Sequence, residues 1–188
     1  MKGKGLRDSG QQSSVVGHRA VFFDRDGVIN KVILRDEKPF SPRNLDEFVF
    51  NDGIREVVHE LQSAGYRVIV ITNQPDLARG HITRETLEGM TQRTREEILY
   101  DDVFICPHDD ADQCSCRKPK PGMLLDAARK WALDLKASYF IGDTWKDMEA
   151  GKAAGCKTIL LDAVYNQEVH CDVRVKSLME AASCILNL

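Results

Sequence analysis

The sequence predicts an α/β fold, a doubly wound parallel sheet with helices on both of its faces. Three observations carry that prediction. Strand-length apolar runs recur at Val21–Phe23, Val68–Ile71, Ser138–Ile141 and Thr158–Leu161, and they are continuous rather than alternating, as strands covered on both faces are. Between them lie segments whose apolar residues follow the helical period. Several runs end at once in polar groups: Asp24 and Asp26, then Thr72 and Asn73, then Asp143. In open sheets of this kind the carboxyl ends of the strands share one edge, and ligands bind there.

The elements follow in order. Residues 1–19 are rich in Gly, Ser, Gln and charge without hydrophobic period, and a disordered tail is expected there. One domain is expected over 20–188, opening with the strand through Phe23. From Val28 to Phe50 the pattern is irregular, with Pro39 and Pro42, and reads as a surface excursion beside the first acids. Ile54, Val57, Val58 and Leu61 then fall at i, i+3, i+4 and i+7 of a helix that Gly65 stops. The Val68–Ile71 strand follows. Thr83 reads as the N-cap of a helix reaching about Tyr100. Val103–Ile105 is a third strand, and Pro121 suits the first turn of a helix through about Trp131. After the strand ending at Gly142 and Asp143, a helix runs to Ala154 with Gly155 as its stop. The Thr158–Leu161 strand, a short strand at Val173–Val175 and a helix from Ser177 complete the chain.

With 188 residues, the chain can bury one sizeable core but is short for two. Its net charge of -3 gives no basic face for nucleic acid, and no apolar run reaches the roughly 18–20 residues of a membrane span. No apolar h-region follows Lys2, Lys4 and Arg7, so a secretory signal is not expected and a cytoplasmic location is. Of six cysteines, Cys156, Cys171 and Cys184 are scattered, whereas Cys106, Cys114 and Cys116 crowd around His108. That spacing reads as a metal site rather than a disulfide framework.

Asp24, Asp26 and Asp143, brought to one edge, would repel one another unless a cation sat among them. A hard, oxygen-preferring ion with open water positions, Mg²⁺, suits that set. No G-x-x-x-x-G-K-[ST] run is present, which removes a P-loop nucleotide site. Three thiolates and an imidazole from Cys106, His108, Cys114 and Cys116 suit tetrahedral Zn²⁺ with no open position, hence a structural ion. The loop around them is Asp-rich and apolar-poor, so metal binding would supply the ordering that burial cannot. Arg117 and Lys118 follow Cys116 directly, so zinc would also fix those two cations.

These residues resemble the haloacid dehalogenase (HAD) superfamily of phosphotransferases. Asp24-Arg25-Asp26-Gly27-Val28 is similar to its first motif, D-x-D-G-[TV]; Thr72 to the second; Lys118 to the third; and Gly142-Asp143-Thr144-Trp145-Lys146-Asp147 to the fourth, G-D-x-x-x-D. The resemblance implies a HAD-like Rossmannoid fold and a site with assigned roles. Asp24 is the expected nucleophile and Asp26 the general acid and then base. Thr72 and Lys118 are expected to hold the phosphoryl oxygens. Mg²⁺ is expected on Asp24, Asp143 and the main-chain carbonyl of Asp26, with Asp147 in support through water.

The run Cys106-Pro107-His108…Cys114-Ser115-Cys116-Arg117-Lys118-Pro119-Lys120-Pro121-Gly122-Met123 narrows the resemblance to a zinc-containing subgroup. That subgroup lacks a large cap domain and comprises heptose-bisphosphate and histidinol-phosphate phosphatases. Thr72-Asn73-Gln74 with Ala78-Arg79-Gly80 is closer to the heptose enzymes, which implies substrate contacts at Asn73, Gln74, Arg79, Arg117 and Thr144. Pro75-Asp76 departs from the usual Ser-Gly there, removing a backbone donor and adding a carboxylate that would repel a second phosphate. The expectation is a Mg²⁺- and Zn²⁺-containing phosphatase acting through an aspartyl phosphate on heptose bisphosphate, with histidinol phosphate as the alternative substrate. A non-catalytic zinc and phosphate-binding module is the reading from another class. The expected partner is a small phosphorylated metabolite, with no nucleic acid and no membrane, and the features are compatible with a monomer.

Overall fold

The computed structural model describes residues 17–187. The tail expected over 1–19 lies outside them up to residue 16. The chain already joins the domain at His18, whose N–H donates to the Ala132 carbonyl at 3.0 Å and whose carbonyl accepts from Asp134 N at 2.9 Å.

Six parallel strands form the sheet: β1 (Ala20–Phe23), β4 (Arg67–Asn73), β5 (Asp102–Cys106), β6 (Tyr139–Gly142), β7 (Lys157–Leu161) and β8 (Val173–Val175). Their spatial order is β5-β4-β1-β6-β7-β8. The chain therefore winds outward from β1 in one direction, returns to β6, and winds outward in the other. Successive β1 side chains point to opposite faces. Val21 and Phe23 enter one core with α1 (Ile54–Ser63), α6 (Leu178–Leu186) and Ile98 of α3 (Arg84–Ile98). Ala20 and Phe22 enter the other, with α4 (Gly122–Trp131) and α5 (Trp145–Ala154). There Phe22 meets Phe140 edge to face, ring centroids 6.4 Å apart. Burial on both faces is why these strands read as unbroken apolar runs.

Thr83 caps α3 as expected, its hydroxyl accepting from Thr86 N at 3.2 Å. α3 ends two residues early, because Leu99 turns left-handed (φ 45°) and leaves the helix exposed. Pro121 is the N-cap of α4 rather than its first helical residue. Two elements escaped sequence reading. The 28–50 excursion contains a hairpin of β2 (Ile33–Arg35) and β3 (Lys38–Phe40), turned by Asp36 and Glu37 at φ 50° and 60°. Positive φ at both central residues is ordinarily the work of Asn or Gly, so an Asp-Glu turn carries no signal. The single turn α2 (Pro75–Ala78) is too short to show a period. No described helix is long and apolar enough to cross a membrane.

Candidate active site

β1 sits between β4 and β6, where the strand order reverses, so a crevice opens at its carboxyl end. Asp24 is tethered there by its own N–H, which donates to the Ile141 carbonyl of β6 at 3.0 Å. The turn that follows needs glycine. Gly27 has φ +95°, and a Cβ on it would lie 2.0 Å from Asp143 Oδ2. The missing side chain is the space through which Asp143 approaches β1.

Asp24, Asp143 and Asp147 each bring a carboxylate oxygen within 4.8 Å of the others, all three buried. Lys118 Nζ enters from the side of the Cys/His loop, 2.8 Å from Asp24 Oδ1 and 2.5 Å from Asp147 Oδ1, and donates to the Ile71 carbonyl at 3.1 Å. Burial followed by the Asp147 charge pushes Asp24 well above the usual carboxylate range, although Lys118 opposes both. Burial and Asp147 likewise lift Asp143 to about 7. For Lys118, burial favours the neutral amine, but Asp147 and Asp24 outweigh it and hold the ammonium. Asp143 Oδ1 is buried with no hydrogen-bond partner. Clustered carboxylates and an unpartnered oxygen are the donor set of a hard divalent cation, and Mg²⁺ fits them.

The remaining expected residues fall into three positions. Asp26 is turned from the cluster and gripped by its neighbour: Arg25 Nε and Nη2 donate to its two oxygens, each at 3.0 Å. Burial alone would raise the Asp26 pKa, but the Arg25 guanidinium and Gln74 hold it below the usual range. Gln74 and Asn73, expected at the substrate, also tie the site's own parts together, and Asn73 lines the cavity above. Gln74 Nε2 donates to Asp26 Oδ2 (2.8 Å) and Thr72 Oγ1 (2.9 Å), tying the first two motifs together beneath the cavity. Asn73 clamps the Lys118 main chain, donating to its carbonyl (3.1 Å) and accepting from its N–H (3.0 Å). The Thr144 hydroxyl donates to Asp147 Oδ2 at 2.6 Å. Asp147 itself belongs to the buried carboxylate cluster with Asp24 and Asp143.

A cavity of about 320 Å³ opens over this floor. Pro39 and Phe40 of the hairpin, Asp76 of α2 and Arg79 just after it, Asp110 and Arg117 of the Cys/His loop, and Thr144 and Lys146 form its wall. Asp76 is not the bare anion expected from sequence. It pairs with Arg43 at 2.9 Å and lies 3.8 Å from Arg79. Two residues that bind Asp143 carried no sequence signal. Tyr165, in the loop after β7, donates its hydroxyl to Asp143 Oδ2 at 2.6 Å, and Asn166 Nδ2 donates to the Asp143 carbonyl at 2.8 Å. The only hint was positional, since that loop leaves a strand at the same sheet edge.

The side chains of Cys106, His108, Cys114 and Cys116 converge. Sγ of Cys116 lies 3.1 Å from Cys106 Sγ, 3.4 Å from Cys114 Sγ and 3.3 Å from His108 Nδ1. Cys106 Sγ is 3.7 Å from Cys114 Sγ and 3.6 Å from His108 Nδ1. A tetrahedron with Zn–S near 2.3 Å has edges of about 3.8 Å, and this Cys₃His set is close to that size. Gly122 holds the loop against α4: a Cβ there would meet the Ser115 carbonyl at 2.3 Å.

Comparison with known proteins agrees with this geometry. A D-glycero-β-D-manno-heptose-1,7-bisphosphate 7-phosphatase of Helicobacter pylori is 36% identical over 150 residues, 77% of this chain and 83% of that protein. Its counterpart in Photorhabdus laumondii is 38% identical over 157 residues, 77% and 80% of the two chains. The crystal structure of D,D-heptose 1,7-bisphosphate phosphatase from B. bronchiseptica, complexed with magnesium and phosphate, superposes with a TM-score of 0.78. It is 29% identical, over 90% of this chain and 98% of that one. Residues 31–155 match the haloacid dehalogenase-like hydrolase family; Asp24 and Asp26 stand just ahead of that span, at the end of the strand on which the site is built. The chain belongs to the haloacid dehalogenase-like hydrolases, among their phosphatases.

Proposed function

We propose that the protein removes the 7-phosphate of D-glycero-β-D-manno-heptose 1,7-bisphosphate, as a cytoplasmic enzyme using Mg²⁺ and carrying a structural Zn²⁺. The observation that supports this best is Asp24 held beside Asp143 and Lys118 at the strand-order reversal, under a cavity whose wall carries Arg79, Arg117 and Lys146.

Asp24, Asp143 and the Asp26 main-chain carbonyl would hold Mg²⁺, which when bound neutralises the phosphoryl anion and the nucleophile's surroundings. The chain's own residues do the rest. Asp24 attacks phosphorus; the ester P–O bond breaks, and an aspartyl phosphate remains. Lys118 supplies fixed positive charge beside the nucleophile, and the Thr72 hydroxyl hydrogen-bonds a phosphoryl oxygen. Asp26 gives a proton to the departing sugar oxygen, then takes one from the water that splits the acyl phosphate. The Arg25 fork favours the carboxylate of Asp26, the form needed for the second step. The first step needs the acid, so Asp26 leaves that fork as substrate enters.

Phosphate release from heptose bisphosphate, fructose bisphosphate and histidinol phosphate, with and without Mg²⁺, tests the reading. Heptose bisphosphate should lead by tenfold or more in kcat/KM, about 1.4 kcal/mol in barrier. Turnover should need Mg²⁺, and Asp24→Asn should fold yet lose about 10⁴-fold or more in kcat. A tenfold preference for histidinol phosphate would overturn the substrate, and retained turnover in Asp24→Asn would overturn the mechanism.

A further inference from the structure

We infer that Lys146 receives the second anionic group of the substrate and thereby selects bisphosphorylated over monophosphorylated sugars. The inference rests on the phosphatase reading above and adds a residue to which neither the family motifs nor the sequence patterns give a role.

The argument is one of unspent charge. The cavity is lined by five carboxylates (Asp24, Asp26, Asp76, Asp110, Asp143) and four cations (Arg79, Arg117, Lys118, Lys146). A second phosphate must find a cation whose charge is not already committed, because displacing an existing partner cancels most of the gain. Lys118 is committed to Asp24 and Asp147 on the floor. Arg79 is forked onto Asp109, with donor distances of 2.7 and 2.5 Å, and lies 4.0 Å from Asp110. Arg117 Nε is 2.7 Å from Asp110 Oδ1, and its Nη1 donates to the His108 carbonyl at 3.3 Å. Lys146 alone of the four has no carboxylate within ion-pair distance among the described residues. Its Nζ stands 5.8 Å from the Trp145 ring centroid, and its charge reaches Asp110 only at longer range, beyond a direct ion pair.

Its position suits the task. Lys146 lies in the first turn of α5, one residue before Asp147 and three after Asp143. Asp143 and Asp147 point to the floor, so Lys146, about 100° around the helix from Asp147, stands on the wall rising from it. A sugar whose reacting phosphate lies at Asp24 would reach that wall with its far end. The Thr144 hydroxyl, turned onto Asp147, is in no position to do the same. A flexible ammonium with three donors can also follow a phosphate that a guanidinium locked in a fork cannot.

The test compares wild type, Lys146→Met and Lys146→Arg on heptose 1,7-bisphosphate and heptose 7-phosphate, with KM and kcat measured separately. Wild type should prefer the bisphosphate. Lys146→Met should lower that preference by about 10- to 100-fold, the worth of one charge-assisted contact, with the change in KM rather than kcat. Lys146→Arg should restore most of it. If Lys146→Met keeps the wild-type preference, or slows both substrates equally, the role of Lys146 is overturned and the phosphatase reading stands. If wild type shows no preference for the bisphosphate, the substrate reading itself falls, and Lys146 with it.

Discussion

Magnesium should stabilise this protein strongly near neutral pH and hardly at all in mild acid. Asp143 is lifted from 3.8 to about 7, so between those values the folded chain binds a proton that the unfolded chain releases. Stability from this group is therefore complete below about pH 4 and is lost as pH rises to about 7, on the order of 4 kcal/mol in the metal-free protein. The raised Asp24 acts in the same direction. Mg²⁺ binds the carboxylate form and offsets the loss. At about pH 8, a concentration 100 times Kd contributes about 2.7 kcal/mol, or roughly 5–10 °C in Tm for a chain of this length. At about pH 5 the ion must displace a proton bound about 100-fold more favourably, which leaves about 0.4 kcal/mol and roughly 1 °C. Thermal unfolding at the two pH values, with and without Mg²⁺, measures the difference. Equal shifts at both would refute the reasoning. Asp143→Asn is the internal check, since it should abolish the Mg²⁺ shift yet raise the metal-free Tm at about pH 8.

Tyr165→Phe removes the hydroxyl that orients Asp143 and should weaken Mg²⁺ binding by about tenfold or more; calorimetric titration checks it, and a change under twofold would dismiss the role. Stripping zinc with a thiophilic chelator should abolish turnover in step with zinc content, because Lys118 leaves the loop two residues after Cys116. Activity should return with Zn²⁺ and not with extra Mg²⁺, and a zinc-free sample of full activity would break the link.

Much of this was legible in the residues. Val21–Phe23 and Val68–Ile71 announced a parallel sheet because both of their faces are covered, and Asp24, Thr72 and Asp143 announced an edge because each closes such a run. Cys106, His108, Cys114 and Cys116 were legible as a set because so few side chains bind a soft metal. What sequence reasoning could not supply were partners that lie far away in the chain. Gln74 and Asn73 stand next to Thr72, and no local pattern shows that they also bind Asp26 and Lys118. Asp76 looked repulsive until Arg43, more than 30 residues earlier, was found against it. Tyr165 had no pattern at all; a single hydroxyl in a loop acquires meaning only when β7 lies beside β6.

The central place of β1 has a consequence for how the molecule comes into being. Its neighbour β4 arrives from the first half of the chain and β6 from the second, so the catalytic centre is a seam between two folding halves. Pairing β1 with β4 and β5 yields Asp24 and Thr72 but no Asp143 and no Asp147. Those come from the other half of the chain, across a long sequence separation, and bring the mutual repulsion of the acids with them. The divalent ion that serves the reaction is thus also a reward for closing the seam. Enzymatic turnover is in turn a reporter of that joining, extinguished by an opening of β6 and α5 that carries Asp143 and Asp147 away while the first half stays intact.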